Sequence, residues 1–112
     1  MTDLEMTKLC AEAMGYKIVY PNDASLPIAI ESELGAGLYN PLHDDAQAMA
    51  LVKRFKPYIG YAPPEYHVHI REGNYWGQSE DLNRAIVECV TKLAPKYVRK
   101  YARLAALEKG KK

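Results

Sequence analysis

His67 and His69 are separated by one residue, which is the spacing of a metal-binding pair. Residues two apart on a strand lie on the same face, so both imidazoles would face one way. No spacing fixes a third ligand, for which the candidates are His43, Asp44, Asp45 and Glu65. Neutral imidazoles also serve in other polar roles. We therefore predict a polar sheet face here, with no metal and no other cofactor.

The two cysteines, Cys10 and Cys89, are the candidate nucleophiles, with a histidine as the base. Both fall on the apolar stripes of predicted helices, where a free cysteine behaves as a small hydrophobic residue. Their wide separation gives neither a CxxC motif nor a disulfide framework. Because no nucleophile, base and orienting group occur at a recognisable spacing, we predict that the chain is not an enzyme.

Two further motifs resemble parts of known sites. Gly35-Ala36-Gly37 begins like a dinucleotide fingerprint, but Asn40 stands at the third glycine position, so we predict a loop. Asp44 and Asp45 form a carboxylate pair at a predicted helix start. The helix macrodipole favours acidic residues at that position, which accounts for the pair without catalysis.

Tyrosine is the unusual residue, with nine Tyr against one Trp and one Phe. Tyr58 and Tyr61 lie in the segment Lys56–Pro64, which contains three prolines and which we predict as a loop. Proline stiffens a backbone and lowers the ordering cost of binding, and tyrosine is common at interface hot spots. Two interpretations stay open: the rings cover the sheet edge, or they bind a partner protein. We take the second as the working hypothesis.

Charge divides the chain. Residues 1–91 contain 7 Lys and Arg against 13 Asp and Glu, a net charge of −6, whereas residues 92–112 contain 8 against Glu108 alone, a net charge of +7. A basic C-terminal helix could be solvated, dock on the acidic body of this or another copy, or bind phosphates while its tyrosines stack on bases. The acidic body would repel a polyanion, so we favour protein docking. The candidate residues are Tyr97, Arg99, Lys100, Tyr101 and Arg103.

Periodicity and breakers predict the elements that must position these residues. In order they are a helix over Leu4–Tyr16 capped by Thr2 or Asp3, strands over Tyr16–Tyr20 and Ile28–Glu31, and a helix from His43–Asp45 to Phe55. A strand over Tyr66–Arg71 follows, then a hairpin turn at Glu72–Asn74 into Tyr75-Trp76, a helix from Ser79 to Leu93, and after Pro95 a last helix over Lys96–Lys109.

The predicted fold class is α+β. We expect a small antiparallel sheet packed between helices, an α-β-α sandwich, in residues 1–94, with a basic helix and tail in residues 95–112. A chain of 112 residues is the size of one domain. It has no apolar stretch long enough to span a membrane and no visible secretory signal. The sequence therefore predicts a cytoplasmic protein that does not bind membranes.

Four segments resemble the small bacteriophage proteins that carry the phage ABA sandwich domain. They are the helix end Cys10–Tyr16, the loop and helix entry Tyr39–Asp45, the strand Tyr66–Ile70 and the helix Ser79–Leu93. The resemblance implies a sheet between helical layers and brings no catalytic residues. This chain departs from the family pattern at Tyr16, where Trp is usual, in the Lys56–Pro64 segment, and in the basic helix after Pro95.

On this resemblance we expect a phage-encoded, non-enzymatic protein-binding module in the host cytoplasm. Its partner would be a host or phage protein, and inhibition of a host defence complex such as CRISPR-Cas is one outcome of such binding. The alternative is a nucleic-acid-binding accessory protein that uses the basic C-terminal helix. Whether the chain forms a homo-oligomer stays open.

Overall fold

The computed structural model describes residues 2–19, 26–32 and 35–109, and describes residues 96–109 by their backbone alone. Within these ranges the chain forms three helices and six strands. In order they are α1 (Asp3–Ala13), β1 (Lys17–Ile18), β2 (Ile28–Ser32), β3 (Gly35–Tyr39), α2 (Asp45–Phe55), β4 (Tyr58–Ala62), β5 (Glu65–Ile70), β6 (Tyr75–Ser79) and α3 (Leu82–Lys109).

The strands form two antiparallel sheets of three, in the orders β1-β2-β3 and β4-β5-β6. The α+β class is confirmed, although the sequence prediction grouped the strands into one sheet. Both sheets are simple meanders, in which each strand pairs with the next one along the chain. Short connections between neighbours favour this arrangement.

Side chains accept backbone N–H groups at the starts of α1, α2 and α3. Thr2 and Glu5 form a reciprocal capping box at the start of α1, which confirms Thr2 as the cap. Asp44 caps α2 by accepting a hydrogen bond of 2.9 Å from the Gln47 N–H. Ser79, the predicted cap of the third helix, is instead the last residue of β6, and the Asp81 carboxylate accepts the Asn83 N–H at the start of α3.

The core forms where α3 packs against α1, α2 and the inner face of the β4-β5-β6 sheet. Val68 and Ile70 of β5 are buried on this face, as their alternation predicts. The tightest contact lies at Gly77 of β6, where a Cβ atom would stand 1.9 Å from the Ala85 carbonyl oxygen. Only glycine lets the helix approach the strand so closely.

Two predicted loops and one predicted helix end are wrong. Gly35-Ala36-Gly37, predicted as a loop, forms most of β3 because it pairs in register with β2. Lys56–Pro64, also predicted as a loop, contains β4, since Pro57 and Pro63 flank the strand without interrupting it. Pro95 lies inside α3, so the predicted division into two helices at this residue is wrong. A proline removes one helical hydrogen bond, and helix-forming neighbours on both sides carry the helix past it.

Candidate functional site

β4 exposes all five of its residues, including three large apolar side chains. Tyr58 is 61% exposed, Ile59 is 43% exposed and Tyr61 is 59% exposed. Lys56 adopts a left-handed conformation after α2, and Pro57 then directs the chain into the strand. Within the described residues β4 pairs only with β5, so it is an edge strand of its sheet. The predicted tyrosine pair therefore lies on a strand edge.

The two tyrosines lie on opposite faces of that strand. Tyr58 is opposite His69 in the register, on the outer face of the sheet, and the Arg71 guanidinium lies 5.8 Å from the centre of its ring. Tyr61 is opposite Tyr66, on the face that α3 covers further along the sheet, and the two ring centres are 4.8 Å apart. A partner contacting both tyrosines must enclose the edge of β4.

Three rings form a row across the outer face of the sheet, which we call the aromatic row: Tyr58, His69 and Trp76. The register places Tyr58 opposite His69 and His69 opposite Trp76. The His69 and Trp76 rings are stacked, 3.7 Å between centres and 7° from parallel. Trp76 is 45% exposed.

Asn74 fixes the end of this row from the hairpin turn. Its side-chain oxygen accepts the Trp76 indole N–H at 3.0 Å and lies 3.1 Å from His69 Nε2. An amide oxygen only accepts, so in this arrangement His69 Nε2 donates. The sequence analysis did not single out Trp76, because its position beside His69 depends on the register across the hairpin.

His67 and His69 share a face of β5, as the sequence predicts. No group of three His, Cys, Asp or Glu side chains suited to a metal ion occurs among the described residues. Asp44 of the candidate ligands caps α2, and Asp45 accepts a hydrogen bond from the Asn83 amide. Glu65 accepts one from the Gln78 amide. These interactions account for the three carboxylates structurally.

Both cysteines are buried and free. Burial raises the pKa of Cys10 from its ordinary 9.0 to about 12, and a hydrogen bond with Thr91 offsets this only in part. Burial likewise raises the pKa of Cys89 to about 11. Because the thiolate is the nucleophile, these environments suppress nucleophilic reactivity at neutral pH.

β3 is an edge strand of the other sheet, and the Gln47 side chain of α2 is hydrogen-bonded to its end. The Gln47 side chain accepts the Asn40 N–H at 2.6 Å and donates to the Leu38 carbonyl at 2.7 Å, as a neighbouring strand would. Leu38 is 65% exposed beside this contact. The edge of β3 is therefore protected in a way that the edge of β4 is not.

The residues of the predicted basic site lie in α3, beyond the part of that helix whose side chains the structure describes. They are Tyr97, Arg99, Lys100, Tyr101 and Arg103. Among the described residues no helix is long and apolar enough to cross a membrane. Comparison of the chain with family models, curated proteins and solved structures found no match.

Proposed function

We propose that this chain is a non-enzymatic protein-binding module whose contact surface is β4. One observation carries the proposal: an uncharged strand at a sheet edge exposes Tyr58, Ile59 and Tyr61 on both of its faces. Edge strands of monomeric proteins usually carry charges, bulges or covering segments, because a bare edge invites pairing. A partner strand added to β4 would gain main-chain hydrogen bonds, and the tyrosines would give specificity.

The side chains of β4 suit such contact energetically. Tyrosine offers a large rigid surface and loses few rotamers on binding. Pro57 and Pro63 at the ends of the strand restrict the backbone before binding, which reduces the entropy lost on association. Arg71 against Tyr58 and Tyr66 against Tyr61 hold both rings in place. The strand is therefore largely pre-formed for binding.

The absence of catalysis is part of the same proposal. The two thiols have raised pKa values, and His69 is engaged by Trp76 and Asn74. A phage origin, a host-cytoplasmic location and inhibition of a host defence complex such as CRISPR-Cas rest on the family resemblance alone. Small phage proteins of this kind would act by occluding a surface of a host or phage protein.

The test is capture of a partner from a nuclease-treated lysate of the bacterial host, with the full chain as bait. Tyr58→Ala combined with Tyr61→Ala should reduce recovery of the partner about 30-fold, equivalent to a loss of about 2 kcal/mol. Leu38→Ala is the matched control, because Leu38 is equally exposed on the edge strand of the other sheet. Equal recovery with both variants would refute β4 as the contact surface.

The aromatic row favours a second candidate, binding of single-stranded nucleic acid. Exposed rings on a sheet stack on bases in several RNA- and DNA-binding folds, and Arg71 adds a cation beside Tyr58. The basic C-terminal helix would then contact phosphates. A gel shift with labelled single strands tests this candidate, with an expected log-log salt slope of about −0.7 per phosphate contact. Loss of the shift in Trp76→Ala and in Arg99→Glu would promote this function above protein binding.

A further inference from the structure

A groove at the opposite end of α3 from residues 96–109 combines apolar and acidic residues. It lies between the starts of α2 and α3 and has a volume of about 460 Å³. Met49 and Leu82 contribute its apolar surface above the buried Ile86, and Asp45, Glu80 and Asp81 are its carboxylates. We call it the acidic groove. Met49 is 44% exposed there, unlike the fully covered apolar residues of the core.

The chain carries a segment of complementary composition at its other end. Residues 92–112 have a net charge of +7. Lys96, Arg99, Lys100 and Arg103 follow the i, i+3, i+4, i+7 spacing of one helical stripe. Tyr97, Tyr101 and Leu104 follow the same kind of spacing on the adjacent stripe. We call residues 96–109 the basic segment. An apolar stripe beside a cationic stripe matches an apolar groove lined with carboxylates.

The basic segment cannot reach the acidic groove of its own copy. The groove uses the first two turns of α3, at Leu82 and Ile86, and the segment continues the same helix through Pro95. At 1.5 Å per residue, Arg99 stands roughly 20 Å along the helix from Ile86. A continuous helix does not fold back on its own first turn, so the segment can meet such a groove only on another molecule.

We propose that two copies of this chain form a reciprocal dimer, in which the basic segment of each lies in the acidic groove of the other. In a two-fold arrangement of this kind, both basic segments are bound and both acidic grooves are occupied, so the assembly closes at two copies. It neutralises the opposite charges of the body and the C-terminal end. The helix macrodipole adds to the effect, because an antiparallel pair brings the positive start of one α3 near the negative end of the other.

Sedimentation equilibrium of the full chain over a range of concentration and salt tests the dimer. We expect a monomer–dimer equilibrium that weakens as salt rises, since these charges lie at the surface. A monomer at every concentration at low salt would overturn the proposal. Species that grow beyond dimers with concentration would overturn the closed two-fold arrangement.

Charge reversal provides the decisive variants. Asp45→Lys with Glu80→Lys reverses the groove, Arg99→Glu with Arg103→Glu reverses the segment, and each pair should raise the dimer dissociation constant at least about tenfold. All four changes in one chain should restore the dimer to within about threefold of the original. Dimers insensitive to either reversal, or a combined variant that stays monomeric with native circular dichroism, would overturn the proposal.

Two controls separate the groove from net charge and from folding. Glu12→Lys with Glu72→Lys changes net charge by the same amount at exposed positions outside the groove and should leave the dimer unchanged. Glu80→Lys alone spares the Asp45–Asn83 hydrogen bond and should still weaken the dimer. Tyr58→Ala should dimerise like the original chain, because β4 is not part of the groove. Failure of this proposal and failure of the proposed function are therefore distinguishable.

Discussion

At the scale of single residues, Gly77 determines how closely α3 approaches its sheet. Gly77→Ala should destabilise the fold by about 3 kcal/mol, because the new Cβ would stand 1.9 Å from the Ala85 carbonyl oxygen and 2.7 Å from the Cys89 nitrogen. Urea unfolding measures the change. Gly60→Ala is the control, since a Cβ there has no neighbour within 4 Å. Similar stabilities for the two variants would contradict the close packing of β6 on α3.

The two thiols provide a second prediction at this scale. With pKa values of about 12 for Cys10 and about 11 for Cys89, both stay protonated at pH 8. Labelling with a thiol-specific disulfide reagent should be at least about a hundredfold slower than for free cysteine. Both should react fully in urea. A thiol that reacts in the folded protein at the rate of free cysteine would show that its helix is not packed as described.

The same pKa values fix the sign of a pH effect on stability. Below pH 9 the thiols are protonated in both states, so their contribution is constant. From about pH 9 the unfolded chain loses these protons while folded Cys10 retains its proton until about pH 12. Stability should therefore fall over that window, and Cys10→Ala should reduce the slope of urea-derived stability against pH. An unchanged slope would contradict the assignment to Cys10.

At the scale of elements, β3 and β4 are both edge strands, but a side chain of α2 is hydrogen-bonded along the edge of β3. Gln47→Ala should destabilise the fold by about 1–2 kcal/mol, because it removes the acceptor of the Asn40 N–H and the donor to the Leu38 carbonyl. Thermal or urea unfolding measures the loss. Lys53→Ala, on the exposed side of the same helix, should change stability by less than about 0.5 kcal/mol. A Gln47 variant as stable as the Lys53 variant would refute the role of Gln47 in covering β3.

Elements that carry local signals in the sequence were predicted, whereas elements that depend on pairing with another strand were not. The sequence predicted the start of α1 and both ends of α2 and β5 closely, because the Thr2 cap, the Asp44 cap and the alternation around Val68 are local signals. α1 itself ends at Ala13, before the predicted Tyr16. β3 and β4 were missed, since glycines and flanking prolines lower local strand propensity and the pairing with β2 and β5 supplies what they lack. The break at Pro95 was wrong because a proline weakens a helix without necessarily ending it.

The candidate site, like the secondary structure, could be predicted from the sequence only in part. Tyr58 and Tyr61 could be identified from residue type and neighbouring prolines, and the structure adds that they lie on opposite faces of an edge strand. Residues three apart on a strand face opposite ways, so their orientation was missed because the segment was predicted as a loop. Trp76 was missed because its role depends on pairing with His69 across the hairpin.

At the scale of the whole molecule, two surfaces have separate roles in this account. The edge of β4 is proposed to contact a different protein, and the acidic groove with the basic segment is proposed to join two copies of the chain. Residues 1–91 carry a net charge of −6 and residues 92–112 a net charge of +7, which gives a total of +1. Two copies of the chain therefore repel each other little, while the body of one attracts the C-terminal end of the other. A dimer would then present two β4 edges, which increases avidity for a partner with repeated subunits.

Site-specific photocrosslinking in a bacterial lysate tests the central claim, that β4 is the surface that binds a partner protein. The full chain would carry p-benzoylphenylalanine in place of Tyr58, Tyr61 or, as the matched control, Leu38. The account predicts one nuclease-resistant protein adduct shared by positions 58 and 61 and absent at position 38. Adducts confined to position 38, or adducts at 58 and 61 that nuclease removes, would contradict it.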